Sequence, residues 1–266
     1  MLKDITIGQH YPTGSVVHRL DPRTKIIGTF VFMAGLFMIK NFDAYLIVVT
    51  LLLVTIMASK VPVKYVLKGL RPLMVLIMVT FLINLFMTRG DVFFAVGPIT
   101  MTWEGLRQGV FMALRLMFLI VGTSMLTLTT SPITLTDGIE QLLNPLKKIH
   151  VPAHELAMMM TIALRFIPTL LEETDKIMKA QMARGADFES GNLINRAQSL
   201  VPLLVPLFIS SFRRADDLAM AMEARCYRGG ENRTRMKALQ WEKVDVAVLF
   251  LVFAYLAIMI WMRVRS

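Results

Sequence analysis

Five apolar runs, with a mixed apolar and charged stretch over residues 131–243 between the fourth and the fifth, constrain this chain most. The runs cover residues 26–39, 44–58, 72–87, 109–128 and 244–262. A bilayer span needs roughly 17–25 mostly apolar residues, so the first two runs must recruit flanking residues. Hydrophobic residues make up 55% of the 266 and charged residues only 18%, against about 45–50% and about 25% in soluble domains. This balance excludes a disordered chain, a coiled coil and an ordinary soluble enzyme. The expected fold class is an all-α membrane protein. About five transmembrane helices are joined by a cytoplasmic coupling domain of two long crossed amphipathic helices with a shorter helix.

The connections between runs carry their own signals. Lys40-Asn41-Phe42-Asp43 is short enough only for a tight turn. Lys60, Lys64, Lys68 and Arg71 recur every three or four positions, the pattern of a short surface helix against anionic headgroups. Pro72 then opens the third run, where a first-turn proline is well tolerated. Arg89-Gly90-Asp91 ends it, and Gly97-Pro98 bends the next apolar stretch into a small hairpin. Trp103 follows at the position of an interfacial anchor.

The formal net charge is +10. Lys and Arg concentrate on cytoplasmic loops of membrane proteins. Arg19, Arg23 and Lys25 precede the first span, and the basic stripe lies between the second and third. These residues place the N-terminus in the cytoplasm and return the chain there at Ser131. The last span then carries the C-terminus outside, which Arg263 and Arg265 mildly oppose. The expected segments are a cytoplasmic start over 1–23, a four-helix membrane region over 24–130, a cytoplasmic or interfacial coupling domain over 131–243, and a last span over 244–266. Residues 1–21 lack the apolar core of a signal peptide. The bilayer is thus one partner. No zinc finger, RNA-binding signature or arginine-rich tail points to nucleic acid. The single cysteine, Cys226, permits no intrachain disulfide. His150 and His154 are four apart, but Pro152 between them argues against a helical metal pair. No metal or cofactor is expected.

Residues 153–184 and 192–225 read as two long helices, each on the order of 50 Å at 1.5 Å per residue. Each starts apolar and ends charged. Pro168 interrupts the apolar half of the first, and Pro202 and Pro206 that of the second; a proline inside a helix removes a hydrogen bond and can kink it. The endings match: Ala183-Arg184-Gly185 and Ala224-Arg225-Cys226. A helix macrodipole favours an arginine at a C-terminus, which is one account of both. The other is that two equivalent tips plug into two equivalent partners, since a guanidinium grips a carboxylate bidentately.

Three segments carry a resemblance to a known family. They are His18-Arg19-Leu20-Asp21-Pro22-Arg23-Thr24-Lys25, then Leu164-Arg165-Phe166-Ile167-Pro168-Thr169-Leu170 running on to Ala183-Arg184-Gly185, and lastly Phe212-Arg213-Arg214-Ala215-Asp216 with Ala224-Arg225-Cys226. The chain resembles the T component, the transmembrane scaffold, of energy-coupling factor transporters. The resemblance implies that each triplet docks on one of two cytoplasmic ABC ATPase subunits, through Arg184 and Arg225. It also implies a membrane-embedded S component that captures the substrate, a vitamin or a metal ion, while this chain has no substrate pocket and is no enzyme. Where the second triplet ends in Cys226 the family pattern has glycine, and cysteine tolerates positive φ less well.

The residues agree with a scaffold. No G-x-x-x-x-G-K-[ST] loop is present, so the chain is not the ATPase. The 21 methionines include Met158, Met159, Met160, Met178, Met182, Met220 and Met222 on the long helices. They are either apolar filling or an adaptable surface for several partners. Met158, Met159, Met160, Leu164, Pro168, Leu203 and Leu207 are the candidate S-component interface. Arg115, inside the fourth run, needs a partner or a route to the surface, and pairing against the coupling helices is the favoured account. Arg165 calls for Glu155, Glu172 or another segment. Glu172, Glu173 and Asp175 read as a solvated face or as partners for Lys176, Lys179 and more distant basic residues. A secondary carrier with its own substrate path, or a conventional ABC permease, would instead place Arg115 at the substrate.

Overall fold

A computed structural model gives the fold over residues 10–96, 99–149, 151–186, 188, 199–229 and 239–265. The chain divides into two compact units, Gly8–Gly138 with Ala238–Ser266, and Ile139–Lys237.

The first unit holds the apolar runs. A short α1 (Val16–Arg19) leads into α2 (Pro22–Met38) and α3 (Asp43–Ser59). At 17 residues each, α2 and α3 measure about 26 Å, close to the hydrocarbon thickness of a bilayer. α2 reaches that length by recruiting Pro22–Lys25 ahead of the apolar run. The basic stripe forms α4 (Val63–Leu70), which buries Val66 and Leu70 while Lys64 and Lys68 stay exposed. A single 3-10 turn at Arg71–Leu73 joins it to α5 (Met74–Met87). β1 (Val92–Val96) and β2 (Ile99–Thr102) then pair antiparallel, with Val96 opposite Ile99. This pairing matches the expected hairpin; Gly97 and Pro98, its expected turn, lie outside the described residues. Thr102 caps α6 (Trp103–Thr129), its hydroxyl accepting from the Gly105 amide at 3.0 Å and donating to the Thr88 carbonyl at 2.8 Å. Trp103 is exposed at the start of α6. The last helix of this unit is α10 (Lys243–Arg265), named after the second unit's helices below.

Among the described residues, four helical stretches are long and apolar enough to cross a membrane: residues 63–87, α6, α10 and residues 153–183 of the second unit. The last of these is the first long amphipathic helix, which the sequence reading assigned to the coupling domain. α3 is apolar but shorter.

Small residues let the helices of the first unit approach closely, as membrane helices require. Gly35 on α2 lies against the Tyr255 ring of α10, and Gly122 on α6 against the Phe32 ring. Any side chain there would collide with those rings. Around these contacts sits a core of Phe32, Leu36, Val48, Val66, Val121 and Met259.

Polar side chains close the ends of the helices. Arg115 does not reach toward the coupling helices. Its Nη2 donates to the Ile39 carbonyl at 2.8 Å, capping the end of α2, and its guanidinium lies over the Phe111 ring at 4.9 Å. A free C-terminal carbonyl is a ready acceptor, so the pairing is internal to this unit. The Tyr45 hydroxyl donates to the Phe111 carbonyl at 2.9 Å. Lys25 Nζ donates to the carbonyls of His18 and Thr129 at 3.1 and 3.0 Å. His18 bridges the leading segment: one ring nitrogen meets the Ser15 hydroxyl at 2.7 Å and the other the Tyr11 carbonyl at 2.8 Å. Burial holds its imidazole below the ordinary value, so it stays neutral and its Nε2–H donates to Tyr11.

Asp245 ties the two ends of this unit together. It is 1% exposed. One carboxylate oxygen accepts from the Asp21 amide at 2.8 Å and the other from the Glu242 amide at 2.9 Å. Asp21 in turn caps α2 and pairs with Arg23 at 2.7 Å. Asp245→Ala leaves the buried Asp21 amide and the partly buried Glu242 amide without acceptors, and an unsatisfied buried donor costs about 1–3 kcal/mol. We expect it to lower stability by about 3 kcal/mol in detergent-solubilised unfolding, with Asp245→Asn, which keeps one acceptor, losing roughly half as much.

Candidate functional site

The second unit contains the two long helices. α7 (Pro132–Leu143) and a 3-10 segment, Asn144–Ile149, lead into α8 (Ala153–Ala183), and α9 (Val201–Ala224) follows. His150 and residues 189–198, where the second long helix was expected to begin, lie outside the described residues. α8 has 31 residues and α9 has 24, about 46 and 36 Å. Pro168 and Pro206 lie inside them, as the sequence indicated.

α8 and α9 pair antiparallel. Gln181 Nε2 donates to the Pro202 carbonyl at 3.3 Å, Arg214 Nη2 to Glu173 Oε2 at 2.8 Å, and the Tyr227 hydroxyl meets His154 Nε2 at 3.4 Å. Residue numbers on one helix rise as those on the other fall. The charged half of each helix therefore lies beside the apolar half of its partner. Polarity separates across faces of the pair rather than along its length. Among the acids, Glu173 serves Arg214 and also accepts from Ser210, while Asp175 pairs with Lys179 at 2.7 Å.

The two tips have the same backbone geometry. At the first, the Gly185 amide donates to Met182 and the Ala186 amide to Gln181, both at 3.0 Å. At the second, Cys226 donates to Glu223 at 2.8 Å and Tyr227 to Met222 at 3.0 Å. This double closure is the Schellman motif. It requires a left-handed residue just past the cap, and Gly185 and Cys226 occupy that place with φ of 90° and 56°. The cysteine thus adopts the conformation that glycine takes at the other tip. Arg184 and Arg225 sit at the caps with φ of −89° and −92°. Both are exposed, as are Ala183 and Ala224. Neither guanidinium has a hydrogen-bond or ion-pair partner among the described residues. Because the pair is antiparallel, the tips lie at its opposite ends. Arg225 lines a groove with Met158, and Met158 to Arg184 is about 39 Å along α8.

The candidate interface residues differ in exposure. Met159, Met160 and Pro168 are exposed, Met158, Leu164 and Leu207 half-buried, and Leu203 buried. Leu203 is therefore not part of an open surface. The broader exposed apolar face is one that sequence reasoning missed: Val201, Leu204, Val205, Phe208 and Phe212 on α9. Their three- and four-residue spacing, which puts them on one helix face, was the signal. Also missed was the bridge at the second tip. Glu140 of α7 accepts from His154 Nδ1 at 2.9 Å, and the other nitrogen of His154 meets Tyr227. His154 thus anchors the residue that follows Cys226.

An exposed, antiparallel pair of helices with an arginine at each end, in a chain whose other helices are long and apolar enough to cross a membrane, defines a membrane protein with two matched, solvent-facing tips. The CbiQ family model, described as cobalt transport protein, matches residues 13–236. The chain is 65% identical over 246 residues to the energy-coupling factor transporter transmembrane protein EcfT of Thermosediminibacter oceani, covering 92% of this chain and 93% of that one. It is 48% identical over 264 residues to the protein of the same name from Bacillus subtilis, covering 99% and 100%. The protein of that name from Listeria innocua is 45% identical over the same extent. The chain belongs to the CbiQ/EcfT family, the transmembrane components of energy-coupling factor transporters.

A left-handed non-glycine residue costs about 1–2 kcal/mol. Nothing crowds a side chain at Gly185, so only its backbone opposes substitution. We expect Cys226→Gly to stabilise the second tip by about 1 kcal/mol and Gly185→Ala to destabilise the first by a similar amount. Amide hydrogen exchange over residues 222–229 and 181–186 reads both.

Proposed function

We propose that this chain is the mechanical scaffold of an energy-coupling factor importer. Two cytoplasmic ABC ATPase subunits dock on its two tips, one through Arg184 and one through Arg225. A membrane-embedded S component, which binds the vitamin or metal ion, rests on the exposed apolar faces of α8 and α9. ATP-driven approach of the two ATPases then shifts the helix pair, and that movement releases substrate from the S component. The chain itself is non-catalytic and sits in a prokaryotic cell membrane with its N-terminus and the long helices on the cytoplasmic side.

One observation carries this reading. Two identically capped arginine tips, both exposed and unpaired among the described residues, stand at opposite ends of one helix pair. A macrodipole preference would place an arginine at each C-terminus, but it accounts for neither the matched Schellman closures nor the unused guanidiniums. Ends about 39 Å apart address two separate partner surfaces, and movement of either partner acts on the same pair. The wide apolar face of α9, with Phe208 and Phe212 more than half exposed, exceeds what a lone soluble surface tolerates. It supports contact with lipid or an apolar subunit.

The rival carrier reading needs Arg115 at a substrate path. Arg115 instead turns its Nη2 to the Ile39 carbonyl and lies over aromatic rings. That favours the scaffold.

Arg184→Glu with Arg225→Glu should leave the chain inserted and folded but reduce ATPase retention in a pull-down more than about tenfold, and abolish uptake. Each single change should give partial loss, because two tips bind with avidity. Full retention by the double variant would refute the docking role.

A further inference from the structure

The two tips share a backbone but not an electrostatic environment. The second tip opens onto a groove of about 510 Å³ between α8 and the end of α9. This is within the usual size of ligand clefts. Met158, Ile162 and Met222 form its apolar floor, and three arginines line it: Arg225, Arg228 and, from α8, Arg165. Among the described residues no acid lines the groove. None of the three guanidiniums has a hydrogen-bond or ion-pair partner among the described residues. Glu155 and Glu172, the acids on α8 that the sequence offered to Arg165, form no ion pair with it.

Three unmatched positive charges around one concavity repel each other and raise a local potential that only an anionic partner relieves. The sequence extends the contrast. Over the next twelve residues Arg225 is followed by Arg228, Arg233, Arg235 and Lys237 against the single Glu231, whereas Arg184 is followed by Asp187, Glu189 and Arg196.

We propose that the second tip docks its ATPase through a three-arginine cradle, in which Arg165 and Arg228 join Arg225 to receive a cluster of carboxylates on that partner, while the first tip docks through Arg184 alone. This rests on the docking reading above and adds which residues act and what chemistry the partner presents. Arginine suits this use because its fork binds carboxylates bidentately. The bridge from Glu140 through His154 to Tyr227 holds the chain between Arg225 and Arg228 in place. The cradle is thus preorganised on its own side, which lowers the ordering cost of association.

The lone cysteine makes the test direct, since Cys226 is exposed at the second tip. The full chain is coexpressed with its ATPases and membrane partners, and Cys226 is labelled with benzophenone maleimide and photo-cross-linked. A Met182→Cys, Cys226→Gly variant reports on the first tip in the same way. We expect Arg165→Gln with Arg228→Gln to lower ATPase cross-linking at Cys226 at least about fivefold, and to leave that at position 182 within about twofold, since a distant site with no shared contact is nearly independent. Arg165→Lys with Arg228→Lys should keep at least about half the yield, because charge is retained. Raising salt should weaken the second tip more steeply than the first. An unchanged Cys226 yield in the Gln variant overturns the cradle, and so does an equal fall at both tips. If the Gln variant keeps its ATPase cross-link but loses co-purifying anionic phospholipid, the groove binds headgroups and the proposal is wrong. If neither cysteine cross-links an ATPase in the unmutated background, the docking reading itself fails.

Discussion

The antiparallel register of α8 and α9 is the constraint on which the functional geometry depends. Contacts at three levels set it: Gln181 with Pro202, Glu173 with Arg214, and His154 with Tyr227. Two helices that each end in arginine could present both tips side by side if they ran parallel. Running antiparallel, they hold the tips at opposite ends of one element. The same register places the charged half of each helix beside the apolar half of the other. Apolar surface is therefore left as a face of α9, from Val201 to Phe212, rather than as one end of the pair. The groove that gathers Arg165, Arg225 and Arg228 exists only because the start of α8 meets the end of α9.

The membrane unit solves a different problem. In hydrocarbon every backbone group needs a partner, and helix ends leave carbonyls over. Here cationic and hydroxyl side chains take that role. Arg115 closes α2, Lys25 closes α6 and the Tyr45 hydroxyl meets α6 in mid-course. Asp245 does the converse for amides, serving the start of α2 and the approach to α10 with one carboxylate. An ionisable residue within an apolar run reads as a functional site by default. Arg115 shows that a helix end nearby can satisfy it just as well.

Much of this was legible in the sequence. The apolar runs located the helices, the Lys60–Arg71 periodicity located α4, and Gly97-Pro98 located the hairpin. The matched triplets located both tips. What escaped were features that depend on direction or on backbone partners. Periodicity assigns a face to a helix but not the orientation of its neighbour, so the pairing of α8 with α9 left no mark. Arg115 bonds a carbonyl, and a carbonyl carries no residue signature. Leu203 and Leu204 look alike in sequence, yet one is buried and the other exposed. Arg165 and Arg228 meet across chain too distant for any spacing rule.

The claim that most of this account stands on is the separation of the two arginine tips. It is tested by the distance between spin labels on the native Cys226 and on Met182→Cys, measured by pulsed electron spin resonance in lipid nanodiscs. The antiparallel pair predicts a single distribution centred at about 40 Å. A distribution centred below about 20 Å, the value for tips that lie side by side at helix-packing distance with their label linkers, would contradict it.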